Sequence, residues 1–179
     1  MTDTALLVID VQESFKHRPY WDVQDFPNFQ DRLLQLIETA HQHNWQVVYI
    51  LHEEETGAFS QASGFVQLMD FLQPTADEPI FIKQVHNALT ESGLQAWLQE
   101  RGINKLKVSG IRTEQCCETT TRVASDLGYQ VDFVLDATLT FAMQDPFDNC
   151  TVTPKQIKTH TAMVLKDRFA KITTVDDYA

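Results

Sequence analysis

The sequence lacks the features that would place it in a membrane, on a nucleic acid or in an oxidising compartment. No apolar run approaches the roughly 20 residues that a membrane span needs, and residues 1–4 lack the basic region of a secretory signal. Only 14 lysines and arginines oppose 25 aspartates and glutamates, so no basic face for a nucleic acid is expected. The three cysteines, two of them adjacent, form no disulfide framework. These absences predict a cytoplasmic protein without membrane or nucleic-acid partners.

The composition of the chain is that of an ordinary globular protein. Its 179 residues, 43% of them hydrophobic, suit a single domain over residues 1–179 that is long enough to bury a core. The net charge of −11 favours solubility but says nothing about the fold. No internal repeat, low-complexity segment or long linker interrupts the chain.

Short apolar runs alternate with helical patterns along the chain. The predicted strands span residues 5–9, 46–51, 79–82, 105–109, 130–135 and 171–174. Continuous apolar runs are typical of parallel strands that are covered on both faces. The segments between them repeat apolar residues every three or four positions, which indicates helices. We therefore predict an α/β fold, a three-layer α-β-α sandwich around a mostly parallel six-stranded sheet.

Three chemically active residues follow predicted strands. Asp10 follows the first strand, Lys83 the third and Cys116 the fourth. If the strand order is 3-2-1-4-5-6, strands one and four are neighbours where the order reverses, and all three residues share one rim. A helical pattern begins at Cys116, and the positive end of a helix dipole favours a thiolate over a thiol there.

The segments around these residues resemble the isochorismatase-like cysteine hydrolases, which include the nicotinamidases, and the resemblance spans nearly the whole chain. The matching segments are Leu7-Val8-Ile9-Asp10-Val11-Gln12 with Phe15, Phe81-Ile82-Lys83 with Asn87-Ala88-Leu89, and Gly110-Ile111-Arg112-Thr113-Glu114-Gln115-Cys116. The order of Asp, Lys and Cys, each after its proper strand, is the specific signal. The resemblance also implies the strand order 3-2-1-4-5-6.

The resemblance implies a Cys-Lys-Asp triad. Asp10 would act as general base toward the Cys116 thiol and later as general acid toward the leaving amine. Lys83 would hold Asp10 in place and stabilise the thiolate. Cys116 would attack an amide-like carbonyl and form a thioester that water hydrolyses. The backbone N–H groups of Arg112 and Cys116 would form the oxyanion hole, aided by a cis peptide bond between Ile111 and Arg112.

The remaining site expectations concern the substrate pocket and metals. Gln12, Phe15, Trp21 and His52 are the candidate substrate-binding residues, and the irregular segment 53–71 is predicted to be a long loop that closes over the site. Nicotinamidases bind a metal through an Asp-x-His pair and further histidines. Here His52 is followed by three glutamates, with no Asp-x-His and no second histidine nearby. We therefore expect a member without a metal or another cofactor, and nicotinamide is disfavoured as its substrate.

Each of these residues also has an ordinary structural interpretation. Cys116 and Cys117 can be small buried hydrophobes, Asp10 can cap a turn, and Lys83 can lie at the surface. Arg112 either meets an anionic group or points to solvent. The predicted function is a hydrolase of non-peptide carbon–nitrogen bonds in a small amide, and the resemblance suggests a homo-oligomer. The alternatives are a non-catalytic binding module, an isochorismate vinyl-ether hydrolase, and a thiol redox sensor built on the two adjacent cysteines.

Overall fold

A six-stranded parallel sheet forms the centre of the protein. The computed structural model describes residues 2–179. The sheet strands are β1 (Thr4–Ile9), β2 (Gln46–His52), β3 (Ile80–Lys83), β4 (Lys105–Ile111), β5 (Gln130–Leu139) and β8 (Lys171–Thr173). Their order is β3-β2-β1-β4-β5-β8, and every neighbouring pair is parallel. Because β8 is the sixth predicted strand, the predicted order is confirmed.

Four α-helices flank the sheet and complete three layers. They are α1 (Phe26–Gln42), α2 (Leu94–Glu100), α3 (Glu118–Asp126) and α4 (Pro154–Leu165). The apolar stripe of α1 packs into one hydrophobic cluster, whereas α2, α3 and α4 bury residues in a second cluster on the opposite face. Helix α4 begins at an N-cap threonine, Thr153, whose side chain accepts a hydrogen bond from the Gln156 amide, and Pro154 is its first residue.

Strand β1 shows why the apolar runs are continuous. Leu6 and Val8 pack into the α1 cluster, while Leu7 and Ile9 pack into the opposite cluster, and all four are fully buried. A strand between two helical layers has no face for polar side chains. Ile9 pairs with Ile50 of β2 on one side and with Gly110 of β4 on the other, so Asp10 emerges between two neighbouring strand ends.

Three parts of the chain differ from the sequence-based expectation. Strand β5 extends to Leu139, four residues beyond the predicted end, and its register with β4 shifts between Val108 and Gly110. A hairpin of β6 (Met143–Gln144) and β7 (Thr151–Val152) was not predicted, because two-residue strands carry no periodic signal. The segment 53–71 contains two short 3₁₀ turns and buries Phe59 against the α1 cluster.

Within residues 2–179, no helix is both long and apolar enough to span a membrane.

Candidate active site

Asp10, Lys83 and Cys116 meet at the carboxyl ends of three strands. Asp10 follows β1, Lys83 is the last residue of β3, and Cys116 lies in a π-helical turn, Thr113–Cys117, that follows β4. The Lys83 Nζ atom lies 2.9 Å from Asp10 Oδ2 and 3.3 Å from Cys116 Sγ. The structure therefore places an ammonium group between a carboxylate and a thiol, and it brings together all three residues that the sequence singled out.

Burial controls the charges of this cluster. Asp10 and Lys83 each expose 1% of their surface, so neither charge is stabilised by bulk water. Burial raises the pKa of Asp10, although the positive charge of Lys83 opposes that shift. Burial lowers the pKa of Lys83, but the charges of Asp10 and Cys116 outweigh it, and the net pKa rises above 10.5. Lys83 therefore remains a cation and holds Asp10 as an ion pair.

The surroundings of Cys116 oppose the thiolate that the helix dipole was expected to favour. Burial and the negative charge of Asp10 raise the pKa of Cys116 well above its ordinary value of 9.0, and Lys83 only partly offsets them. Moreover, α3 begins at Glu118, so Cys116 precedes the α-helix rather than opening it. Asp10 Oδ1 is buried and has no hydrogen-bond partner within residues 2–179.

Two backbone amides beside Cys116 are the candidate oxyanion donors. The Ile111–Arg112 peptide bond is cis. Within residues 2–179 the Arg112 N–H has no hydrogen-bond partner, and the Cys116 N–H donates to no carbonyl outside its own helical turn. The amides of Gln115 and Cys117 instead donate to the Arg112 carbonyl at 3.2 and 3.3 Å, which fixes the turn. The Arg112 amide thus remains available to a substrate oxygen, and any competing acceptor of the Cys116 amide lies within its own turn.

A cavity of about 190 Å³ opens beside Cys116. It is lined by Asp10, Phe15, Arg18, Tyr20, His52, Glu54, Phe59, His86, Arg112, Gln115 and Cys116. Two of the four predicted substrate-binding residues, Phe15 and His52, therefore face the cavity. The aromatic rings of Phe15 and Phe59 meet edge to face at 5.0 Å and form an apolar wall.

The other two predicted substrate-binding residues do not line the cavity. The Gln12 amide is buried and fully engaged, because it accepts a hydrogen bond from the His52 N–H at 2.7 Å and donates to the His52 carbonyl at 3.0 Å and to Ser14 Oγ at 2.8 Å. Gln12 thus ties the chain after β1 to the end of β2. Trp21 packs against Phe26 and Phe141 instead.

His86 is a cavity residue that the sequence did not reveal. Its Nδ1 atom lies 3.7 Å from Cys116 Sγ, and its ring is nearly parallel to that of His52. No second histidine lies near His52 in the sequence, but the fold brings His86 close to it, so the expectation of a lone histidine at the site is wrong. His86 follows Lys83 by only three residues, so its position just beyond a functional strand end was the available signal.

His52 does not offer a metal-ligating nitrogen in this arrangement. The Lys83 ammonium lies 3.1 Å from His52 Nδ1, and since an ammonium can only donate, Nδ1 must accept. The proton of the neutral ring then lies on Nε2, which is 3.6 Å from Glu54 Oε1. Burial and the charge of Lys83 lower the pKa of His52 to about 4, so the ring is neutral. The donor set beside Cys116 does not fit the Asp-x-His metal site of nicotinamidases.

The described residues do contain one trio of potential metal ligands elsewhere, on the β6–β7 hairpin. Ligand atoms of Asp145, Asp148 and Cys150 lie within 4.8 Å of one another. The carboxylates already accept hydrogen bonds from the backbone amides of Phe147 and Cys150, each at 2.8 Å, as turn-forming aspartates commonly do. This trio contributes nothing to the cavity beside Cys116.

The remaining residues near the nucleophile have structural roles. Cys117 is fully buried in the cluster that contains α2, α3 and α4, and its Sγ atom lies 3.7 Å from the Ser109 carbonyl, as expected for core packing. The Arg112 side chain neither points to solvent nor offers a free charge. Its Nη2 atom forms an ion pair with Glu114 Oε1 at 2.9 Å.

Comparisons with known proteins place this chain in a family. A family model described as the isochorismatase domain matches residues 4–177. The uncharacterized isochorismatase family protein YrdC of Bacillus subtilis is 26% identical over 178 residues, which cover 96% of this chain and 92% of that protein. Streptothricin hydrolase of Streptomyces noursei is 28% identical over 160 residues, covering 88% and 57%. A solved cysteine hydrolase from Pseudomonas syringae pv. phaseolicola has a TM-score of 0.89 at 21% identity, covering 99% and 92%. The chain belongs to the isochorismatase family and has the fold of its hydrolases.

Proposed function

We propose that this protein is a cysteine hydrolase that cleaves a non-peptide carbon–nitrogen bond in a small amide. The observation that carries the proposal is the position of the Lys83 Nζ atom, 2.9 Å from Asp10 Oδ2 and 3.3 Å from Cys116 Sγ, where the aspartate and the cysteine line one cavity. A buried acid, a cation and a thiol in contact cost folding free energy, and such arrangements are concentrated at functional sites. The relative that is named streptothricin hydrolase supports a hydrolytic role.

In the acylation half of the proposed reaction, the amide carbonyl lies against Cys116 Sγ. Asp10 takes the thiol proton as sulfur forms a bond to the carbonyl carbon, and Lys83 stabilises the sulfur as it becomes negative. The carbonyl oxygen becomes an oxyanion beside the N–H groups of Arg112 and Cys116. Protonated Asp10 then gives its proton to the nitrogen, the C–N bond breaks, and the amine leaves as a neutral molecule.

In the deacylation half, water takes the place of the departed amine. Asp10, again a carboxylate, accepts a proton from the water as its oxygen attacks the thioester carbon. The C–S bond breaks, the product is released as a carboxylic acid, and the proton on Asp10 returns to the sulfur. The sum of the two halves is one amide and one water converted into one acid and one amine, with the protein unchanged.

A screen of small primary amides with ammonia detection tests this proposal. We expect ammonia release in the presence of EDTA at the same rate as in its absence, because His52 Nδ1 accepts from Lys83 and the chain holds no Asp-x-His pair. A loss of activity on chelation that zinc restores would contradict the metal-free mechanism. The absence of ammonia release from every amide would contradict the proposed reaction.

A further inference from the structure

Arg18 is a cavity residue whose charge has no acidic partner. It follows the 3₁₀ turn Glu13–His17, and its side chain lines the cavity beside Cys116. Within residues 2–179 no carboxylate forms an ion pair with its guanidinium, and its Nε atom is sealed from solvent without a hydrogen-bond partner. A partly buried guanidinium with an unsatisfied donor is costly unless a ligand completes it.

Aromatic rings hold Arg18 in place without neutralising it. Its guanidinium carbon lies 5.6 Å from the Tyr20 ring centroid and 5.9 Å from that of Phe59. The backbone is fixed as well, because the Arg18 N–H donates to the Phe15 carbonyl at 3.0 Å. Aromatic faces attract a cation through their quadrupole but leave its N–H donors free. Arg18 is therefore positioned and still able to bind an anion.

Two other cations beside the cavity have acidic partners. Arg112 pairs with Glu114, and Lys83 pairs with Asp10. Glu54 also lines the cavity, but its carboxylate lies 3.6 Å from His52 Nε2 rather than beside Arg18. Among the lysines and arginines beside the cavity, Arg18 is thus the one that forms no ion pair with a carboxylate of residues 2–179.

We infer that Arg18 binds an anionic group of the substrate, so that the amides this protein hydrolyses carry a carboxylate. The inference rests on the proposed function and adds the substrate class to it. A guanidinium forms two parallel hydrogen bonds to a carboxylate, which matches an arginine with unused donors. Arg18 and Cys116 line the same small cavity of about 190 Å³, so a short spacer separates carboxylate and amide.

Succinamate and butanamide form a matched pair for the test, because they have the same four-carbon chain and differ in a terminal carboxylate. Hydrolysis of succinamate consumes one water and yields succinate and ammonia. We expect kcat/KM for succinamate to exceed that for butanamide about 10- to 100-fold, which is the range for charge-assisted hydrogen bonds. The Arg18→Gln variant should lose most of this ratio, and Arg18→Lys, which keeps the charge without the fork, should lose less.

Arg101 offers a matched control. Its guanidinium also lies over an aromatic ring, 4.2 Å from the Trp97 centroid, but it is exposed and does not line the cavity beside Cys116. Arg101→Gln should keep the ratio of the unaltered protein. Thermal unfolding of each variant separates a lost preference from a lost fold. An unchanged ratio in a folded Arg18→Gln variant would overturn the inference and leave the proposed hydrolysis intact.

Binding without turnover separates this inference from the proposed function. In a Cys116→Ala background, calorimetric titration should show succinamate binding about 10- to 100-fold more tightly than butanamide, and Arg18→Gln should abolish the difference. Arg18-dependent binding in a protein that hydrolyses neither amide would contradict the proposed reaction while supporting the anion site. Equal binding of the two amides would overturn the anion site, whatever the turnover.

Discussion

Replacing Cys116 by alanine should lower kcat/KM for the best amide by about 10⁴-fold or more, the scale on which removal of a covalent nucleophile acts. The variant keeps the Asp10–Lys83 ion pair and both candidate oxyanion donors, so substrate should still bind. Without the Cys116 sulfur no thioester can form, so water must attack the amide directly. Single-turnover ammonia release measures the loss, and thermal unfolding verifies that the variant folds.

Cys117 is the matched control for this prediction. It follows Cys116 directly and carries the same thiol, but its side chain is fully buried and contacts the Ser109 carbonyl. Cys117→Ala should keep the activity within about tenfold, because it removes a packing contact and no reacting group. A Cys116→Ala variant that retained even one tenth of the activity, or a larger loss in Cys117→Ala, would contradict the assigned nucleophile.

Replacing Gly110 by alanine should lower the free energy of unfolding more than replacing Gly128 by alanine does. Gly110 has a φ of +122°, and an added Cβ would lie 2.6 Å from the Ile9 nitrogen and 2.8 Å from the Ile9 carbonyl carbon, with the Ile9 oxygen closer still. These are backbone atoms of the neighbouring strand, so no side-chain movement relieves the clash. We expect a loss of about 3 kcal/mol or more in the free energy of unfolding.

Gly128→Ala separates the clash from the backbone conformation. Gly128 also has a positive φ, +90°, but an added Cβ would have no atom within 4 Å. Its substitution should cost only the ~1–2 kcal/mol of a left-handed conformation in an L-residue. Urea unfolding of both variants measures the difference. Equal losses of unfolding free energy in the two variants would show that the backbone of Ile9 moves to accommodate the added methyl group, which would contradict the predicted clash.

Because Ile9 leads directly to Asp10, Gly110→Ala should also lower the activity of the folded fraction.

Much of the fold was predictable because burial on both sides of a sheet leaves a plain signal. The continuous apolar run of β1 reflects two hydrophobic clusters, one under Leu6 and Val8 and the other under Leu7 and Ile9. Functional residues directly after such runs lie at the carboxyl edge of the sheet, which is why Asp10 and Lys83 were predicted to share a rim with Cys116. The hairpin 143–152 was missed because its strands are too short for a period to show.

The chemistry of the site was less predictable, because it depends on contacts between distant parts of the chain. The pKa of Cys116 is raised by burial and by Asp10, 106 positions earlier in the sequence, so the local helix alone does not set it. Gln12 has a polar side chain that could bind a substrate, but its amide forms hydrogen bonds with the backbone of His52 instead. Arg18 and His86 carry no periodic signal, and only the folded loops bring them to the cavity.

The most direct test of the central claim, a thioester on Cys116, is the partitioning of the acyl group between water and hydroxylamine. An amide and its N-methyl derivative should pass through the same acyl-enzyme after ammonia or methylamine has left. The account predicts hydroxamate and acid in the same ratio from both compounds at a given hydroxylamine concentration. A ratio that differs with the departing amine, or turnover that yields acid without hydroxamate, would contradict a shared covalent intermediate.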